Sequence, residues 1–116
     1  MAAMPDHQEV MGAIADMVID GFAMDCCLAR TKKLVETQGE DASKIAIAMT
    51  QLYIADAITR IESAAKKVLA DVAEGDMLRT QMSIVRRLTK HDPYNLIALQ
   101  EKVAARTIEQ GKFVTV

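Results

Sequence analysis

The sequence predicts an all-α fold, an up-and-down four-helix bundle-like domain with two long antiparallel helices and two shorter ones. Three observations carry that prediction. Apolar residues recur at spacings of three and four through most of the chain, the periodicity of a helix with one buried face. Glycine and proline together number seven, too few to break the chain often. The chain has 18 alanines but only four aromatics (Phe22, Tyr53, Tyr94, Phe113), which favours helices packed through small and aliphatic side chains over a sheet. A length of 116 residues suits one domain, assigned to 6–113 after a disordered or artificially appended start at 1–5. It is too short for a typical complete cofactor-dependent enzyme.

The first helix is expected to begin at a capping box, Asp6-x-x-Glu9. Val10, Ile14, Met17, Gly21, Met24, Leu28, Thr31 and Val35 then define one largely apolar face running to Gly39. Gly21 costs roughly 0.8–1 kcal/mol against alanine in mid-helix. It is either a close crossing point for another backbone or a tolerated substitution. Gly39 supplies a C-cap and Asp41 an N-cap, so the connection to the second helix is tight.

The second helix presents Ile45, Met49, Leu52, Ala55, Ile58 or Thr59, Glu62, Ala65, Leu69 and Val72 near one face, widened by Ile54, Ile61 and Val68. Gly75 stops it, and the two long helices form an antiparallel hairpin. Asp76 can cap a third helix burying Leu78, Met82 or Gln81, Val85 and Leu88. A corner follows at Lys90-His91. Asp92 as N-cap and Pro93 at the first helical position then open a fourth helix with Leu96, Leu99, Val103 and Thr107 or Ile108 inward, ending near Gly111.

Charge is uneven along the chain. Residues 1–75 carry 7 basic and 12 acidic side chains, a net of −5, and residues 76–116 carry 7 and 4, a net of +3. Arg79, Arg86 and Lys90, spaced by seven and four, share one side of the third helix with Arg87 close by. They are either solvated charges, some favoured by the helix dipole, or a docking surface for an acidic face. Without interleaved aromatics they do not make a nucleic-acid platform.

The motifs of catalysis are missing from the sequence. It has no Glu-x-x-His for a metal in a helical bundle, no glycine-rich nucleotide loop, no Gly-x-Ser-x-Gly and no Cys-x-x-Cys. His7 and His91 have no helical partner for a metal. Glu62 lies near the seam, but without a nucleophile or second carboxylate it is read as an ion-pair residue with Lys66, as Asp56 is with Arg60. Adjacent Cys26 and Cys27 are read as buried small hydrophobes in a reducing cytoplasm. No catalytic, cofactor or metal residue is assigned, and no apolar run is long enough to span a membrane.

The stretch Arg86-Arg87-Leu88-Thr89-Lys90-His91-Asp92-Pro93-Tyr94-Asn95-Leu96-Ile97-Ala98-Leu99, with Ala104-Ala105-Arg106 and Glu109-Gln110-Gly111-Lys112-Phe113, resembles the extra carboxy-terminal helical region of the larger, long-chain-type acyl-CoA dehydrogenases. Asp16-Met17-Val18-Ile19-Asp20-Gly21-Phe22-Ala23-Met24 and the long hairpin are similar to it too. The resemblance implies a non-catalytic accessory domain, with the dehydrogenase domains upstream in the same polypeptide as its partner. It implies that FAD, the catalytic glutamate and the α,β-dehydrogenation of acyl-CoA thioesters in fatty acid metabolism belong to that upstream flavoprotein unit. A homo-oligomer is compatible with it. The alternative is a self-contained helical protein-protein interaction or dimerisation module.

Overall fold

The computed structural model describes residues 7–114; the expected cap at Asp6 and the start at 1–5 lie outside them. The described residues form α1 (Gln8–Gln38), α2 (Lys44–Val72), α3 (Gly75–Thr89) and α4 (Leu96–Gln110), with a single 3-10 turn at Asp41–Ser43 and no strand. α1 and α2 have 31 and 29 residues, α3 and α4 have 15 each, so the two long and two half-length helices are as the sequence predicts.

Two compact units share the long helices. The first joins α1 up to Phe22 with Ala57–Asp92, which holds the end of α2 and all of α3. There α1 and α2 run antiparallel, with Asp20 against Arg60 and His7 Nδ1 3.8 Å from Asp71. The second unit joins Ala23–Asp56 with α4. In it the hydroxyls of Thr31 and Thr50 meet at 2.5 Å, again with the helices antiparallel.

The buried apolar residues are Ala13, Leu34, Ala46, Ala48, Ala55 and Ala57, so the deepest positions are almost all alanine. Small side chains let helix axes approach toward the lower end of the usual range of about 8–10 Å. Ala57 has no exposed surface at all. Ser43, in the turn between α1 and α2, is equally buried, and its hydroxyl has no hydrogen-bond partner among the described residues. Such a group costs about 1–3 kcal/mol relative to a paired one.

The inward stripe of α1 is rotated from the expected one. Val10, Ala13, Met17, Asp20, Met24, Cys27, Thr31 and Leu34 face in, whereas Ile14, Gly21 and Leu28 are exposed. Asp20 takes an inward place among larger residues such as Met17 and Met24 because Arg60 meets it there. A Cβ on Gly21 would find nothing within 4 Å, so no backbone crosses close to it.

Three caps also differ. Asp41 begins the 3-10 turn rather than capping α2, and Asp76 lies in the first turn of α3, whose N-cap is Glu74 without a side-chain bond. Residues 90–95 form an irregular connection, and Asn95 rather than Asp92 caps α4, its Oδ1 accepting from the Ala98 N–H at 3.1 Å. The extended backbone that Pro93 favours at Asp92 would suit a cap there, but the helical hydrogen bonds begin only after Asn95, whose side chain supplies the cap. Leu88 is 78% exposed, because Thr89 occupies the inward side of that turn and donates its hydroxyl to the Val85 carbonyl at 2.8 Å. On α4 the inward residue is Thr107, with Ile108 turned out. Gly39 and Gly111 close α1 and α4 in the left-handed conformation, at φ 86° and 68°.

Gly21→Ala is therefore expected to stabilise the chain by roughly 0.8–1 kcal/mol in chemical denaturation, the full helix-propensity difference. Ala57→Leu is expected to do the reverse, losing about 1–3 kcal/mol by overpacking the seam. Equal effects at the two positions would contradict the assignment of one as open and the other as closed.

Candidate functional site

Among the described residues, those that could carry chemistry do not converge on a catalytic or metal-binding set. His7 faces Asp71 across the first unit, and His91 Nδ1 lies 2.9 Å from the Asp92 carbonyl in the exposed connection. Glu62 pairs with Lys66 at 2.8 Å, as its spacing predicts. Among the described residues no group of three or more His, Cys, Asp and Glu side chains is placed to hold a metal ion. Cys26 is exposed and Cys27 half-buried, so they are not the buried pair expected; consecutive positions diverge by about 100° and only one can turn toward the seam.

The best-defined polar contact is Asp20 with Arg60. Arg60 does not bond within its own helix to Asp56, as expected, but reaches from α2 to α1, donating Nε to Oδ2 at 3.1 Å and Nη2 to Oδ1 at 2.9 Å. This bidentate geometry fixes helix register in the first unit, and Asp20 is largely shielded, its side chain 14% exposed. The pair borders a cleft of about 790 Å³ whose other charged lining residues are Glu9, Asp16 and Lys67. Like charges on Asp16 and Asp20, one turn apart on α1, are thus relieved from across the seam.

The second unit contains a groove of about 560 Å³ between α1, α2 and α4. Leu34, Ala46, Met49, Tyr53 and Val103 make its lining mainly apolar, and Arg30 is its one charged lining residue. Thr31 and Thr50 also line it, but they satisfy each other. Nothing there supplies a nucleophile with a base.

Arg79, Arg86, Arg87 and Lys90 are all exposed on α3 and at its end. Arg79 is engaged by Asp76 at 3.4 Å within its own first turns. Arg86 and Arg87 sit in the last turn, where the helix dipole favours cations. The sequence reading missed a different surface: Met11, Val18, Ile19 and Phe22 stand exposed on α1. Spacing alone merges them with the inward residues into one apolar face, whereas α1 carries an inward stripe and a separate exposed one.

The model of the acyl-CoA dehydrogenase C-terminal domain matches residues 1–87, which contain α1, α2 and most of α3. The chain belongs to this family. A Bacillus subtilis (strain 168) protein named "Probable acyl-CoA dehydrogenase" is 32% identical over 111 residues, 96% of this chain and 19% of that protein. The crystal structure of an acyl-CoA dehydrogenase complexed with FAD from Bacillus anthracis superposes with a TM-score of 0.92 at 35% identity, covering 94% of this chain and 19% of that one. The chain spans about one fifth of the length of these relatives. It corresponds to the C-terminal helical domain of acyl-CoA dehydrogenases, and no helix among its described residues is long and apolar enough to cross a membrane.

A double-mutant cycle of Asp20→Asn and Arg60→Gln, followed by denaturation, is expected to give a coupling energy of about 1 kcal/mol that shrinks with added salt. Strict additivity would mean that the pair does not hold the helices in register.

Proposed function

We propose that the chain is a non-catalytic helical accessory domain, residues 6–113, of an FAD-dependent acyl-CoA dehydrogenase of the larger, long-chain type. The observation that carries this reading is that the chain matches relatives at 32% and 35% identity through nearly its whole length while spanning only a fifth of theirs. The remainder of such a polypeptide would bind FAD and remove hydrogens from the α and β carbons of acyl-CoA thioesters, in fatty acid metabolism. The two free thiols fit a reducing, cytoplasmic setting.

The clefts of this chain do not fit a flavin dinucleotide. The cleft of the first unit is lined by three carboxylates, Glu9, Asp16 and Asp20, against Lys67 and an Arg60 already engaged by Asp20, a net negative lining that opposes a diphosphate. The groove of the second unit has one cation and few polar groups to orient flavin or adenine. Flavin chemistry is therefore assigned outside these residues.

Within this reading the role of the domain is to pack on the dehydrogenase domains that precede it, with Arg79, Arg86, Arg87 and Lys90 as a basic contact surface. Arg86, Arg87 and Lys90 support it best, since no carboxylate among the described residues pairs with them. The double substitution Arg86→Gln/Lys90→Gln is expected to loosen that association severalfold in the natural full-length protein, measured by limited proteolysis at the domain junction. Unchanged cleavage would leave these cations as ordinary solvated charges.

The direct test is expression of the complete natural reading frame beside the 116-residue chain. The full product is expected to purify with flavin absorbance and to oxidise acyl-CoA with an artificial electron acceptor, and the chain alone to show no saturable FAD binding in titration. Stoichiometric FAD binding by the chain, or a natural product without a dehydrogenase unit, would overturn the reading.

A further inference from the structure

The first half of α1 is apolar on two sides. Val10, Ala13 and Met17 turn into the first unit, while Met11, Ile14, Val18 and Phe22, spaced by three and four, fall within about 80° on a neighbouring side, roughly 110° round the helix. These four outward residues are between 44% and 72% exposed, and Ile19 beside them is 63% exposed. The charges of this half, Glu9, Asp16 and Asp20, lie away from the outward stripe, and Asp25 ends it one turn beyond Phe22. A surface helix normally buries one apolar stripe and carries polar residues on the rest, so a second apolar stripe beside the first is one that needs a cover of its own.

The extent of the stripe says what covers it. Its side chains leave on the order of 500 Å² of apolar surface open, within the size at which a patch on a monomer is usually functional. Two free molecules need about 800 Å² on each partner for a standard interface. A domain tethered to its partner needs less, because linkage supplies an effective concentration near the millimolar range. The partner is therefore in the same polypeptide, where the relatives carry the other four fifths of their length. A charge facing this stripe would be desolvated without a counter-charge, so the receiving surface is uncharged.

We propose that the outward stripe Met11-Ile14-Val18-Phe22 of α1 seats in an apolar groove of the dehydrogenase unit that precedes it, as the dry centre of the contact between them. This rests on the accessory-domain reading given above and adds the residues that make the contact. Oxidative footprinting tests it. Met11 is the reporter, and Met77 on α3, 61% exposed, is the reference in the same unit. In the natural full-length protein, oxidation of Met11 relative to Met77 is expected to fall severalfold compared with the 116-residue chain, to the same extent at all protein concentrations. Val18→Glu, at a position open in the chain itself, is expected to leave helicity unchanged and to restore Met11 oxidation in the full-length protein.

An unchanged Met11 to Met77 ratio in a full-length protein that carries a dehydrogenase unit overturns the contact alone. So does protection that disappears on dilution, which would make a second copy the occupant, or protection that survives Val18→Glu. A natural product with no dehydrogenase unit removes both the contact and the accessory-domain reading.

Discussion

Burial of alanine on two opposite faces of α2 is the constraint that shapes everything else in this chain. Ala46 and Ala57, three turns apart, share the face of α2 that also carries Thr50 and Arg60, and Ala48 and Ala55 share the opposite face, so α2 is closely covered on two sides. Burying a Leu, Ile or Phe fully contributes about 1.5–3 kcal/mol, and a methyl side chain far less. The chain therefore gains proximity and helix propensity from its seam, but not a large hydrophobic mass.

The larger apolar side chains are displaced by that economy of space. Some return as half-buried residues when α3 and α4 cover their units, as with Leu78, Met82 and Val85 on α3 and Leu96, Leu99 and Val103 on α4. Others stay outside, among them Val18, Phe22 and Ile97. A thin internal core with a well-developed outward apolar surface is what the proposed packing on a dehydrogenase unit would require. Membership of the acyl-CoA dehydrogenase C-terminal domain family, at a fifth of the relatives' length, agrees with it. Directional contacts then do what bulk packing does elsewhere: the Asp20–Arg60 pair and the Thr31–Thr50 hydroxyls each tie α1 to α2 within one unit.

Helix number, helix lengths and the glycine stops were legible because periodicity and punctuation are local properties. Gly39 and Gly111 end helices where their sequence positions say they should. Which way each helix faces was less legible. A 31-residue helix apolar on two sides offers two stripes to a reader of spacing, and only the position of Arg60 on α2 shows that Asp20 points inward. Caps are hard to place for a similar reason: Asp92 and Asn95 are both good N-cap residues, and local sequence favours neither over the other. The corner at residues 86–95 suggested the family, yet the family model ends at residue 87, so α1, α2 and most of α3 carry that match. The candidate surface was legible in its charges and missed in its apolar part.

Native-state hydrogen exchange tests the seam most directly, since it reads the free energy of opening amide by amide. If alanine packing is the constraint on which the rest depends, the slowest-exchanging amides fall in α2 between Ala46 and Ala57, with α3 and α4 opening earlier. Slowest exchange in α3 or α4, with the Ala46–Ala57 segment exchanging like a frayed helix end, would contradict it.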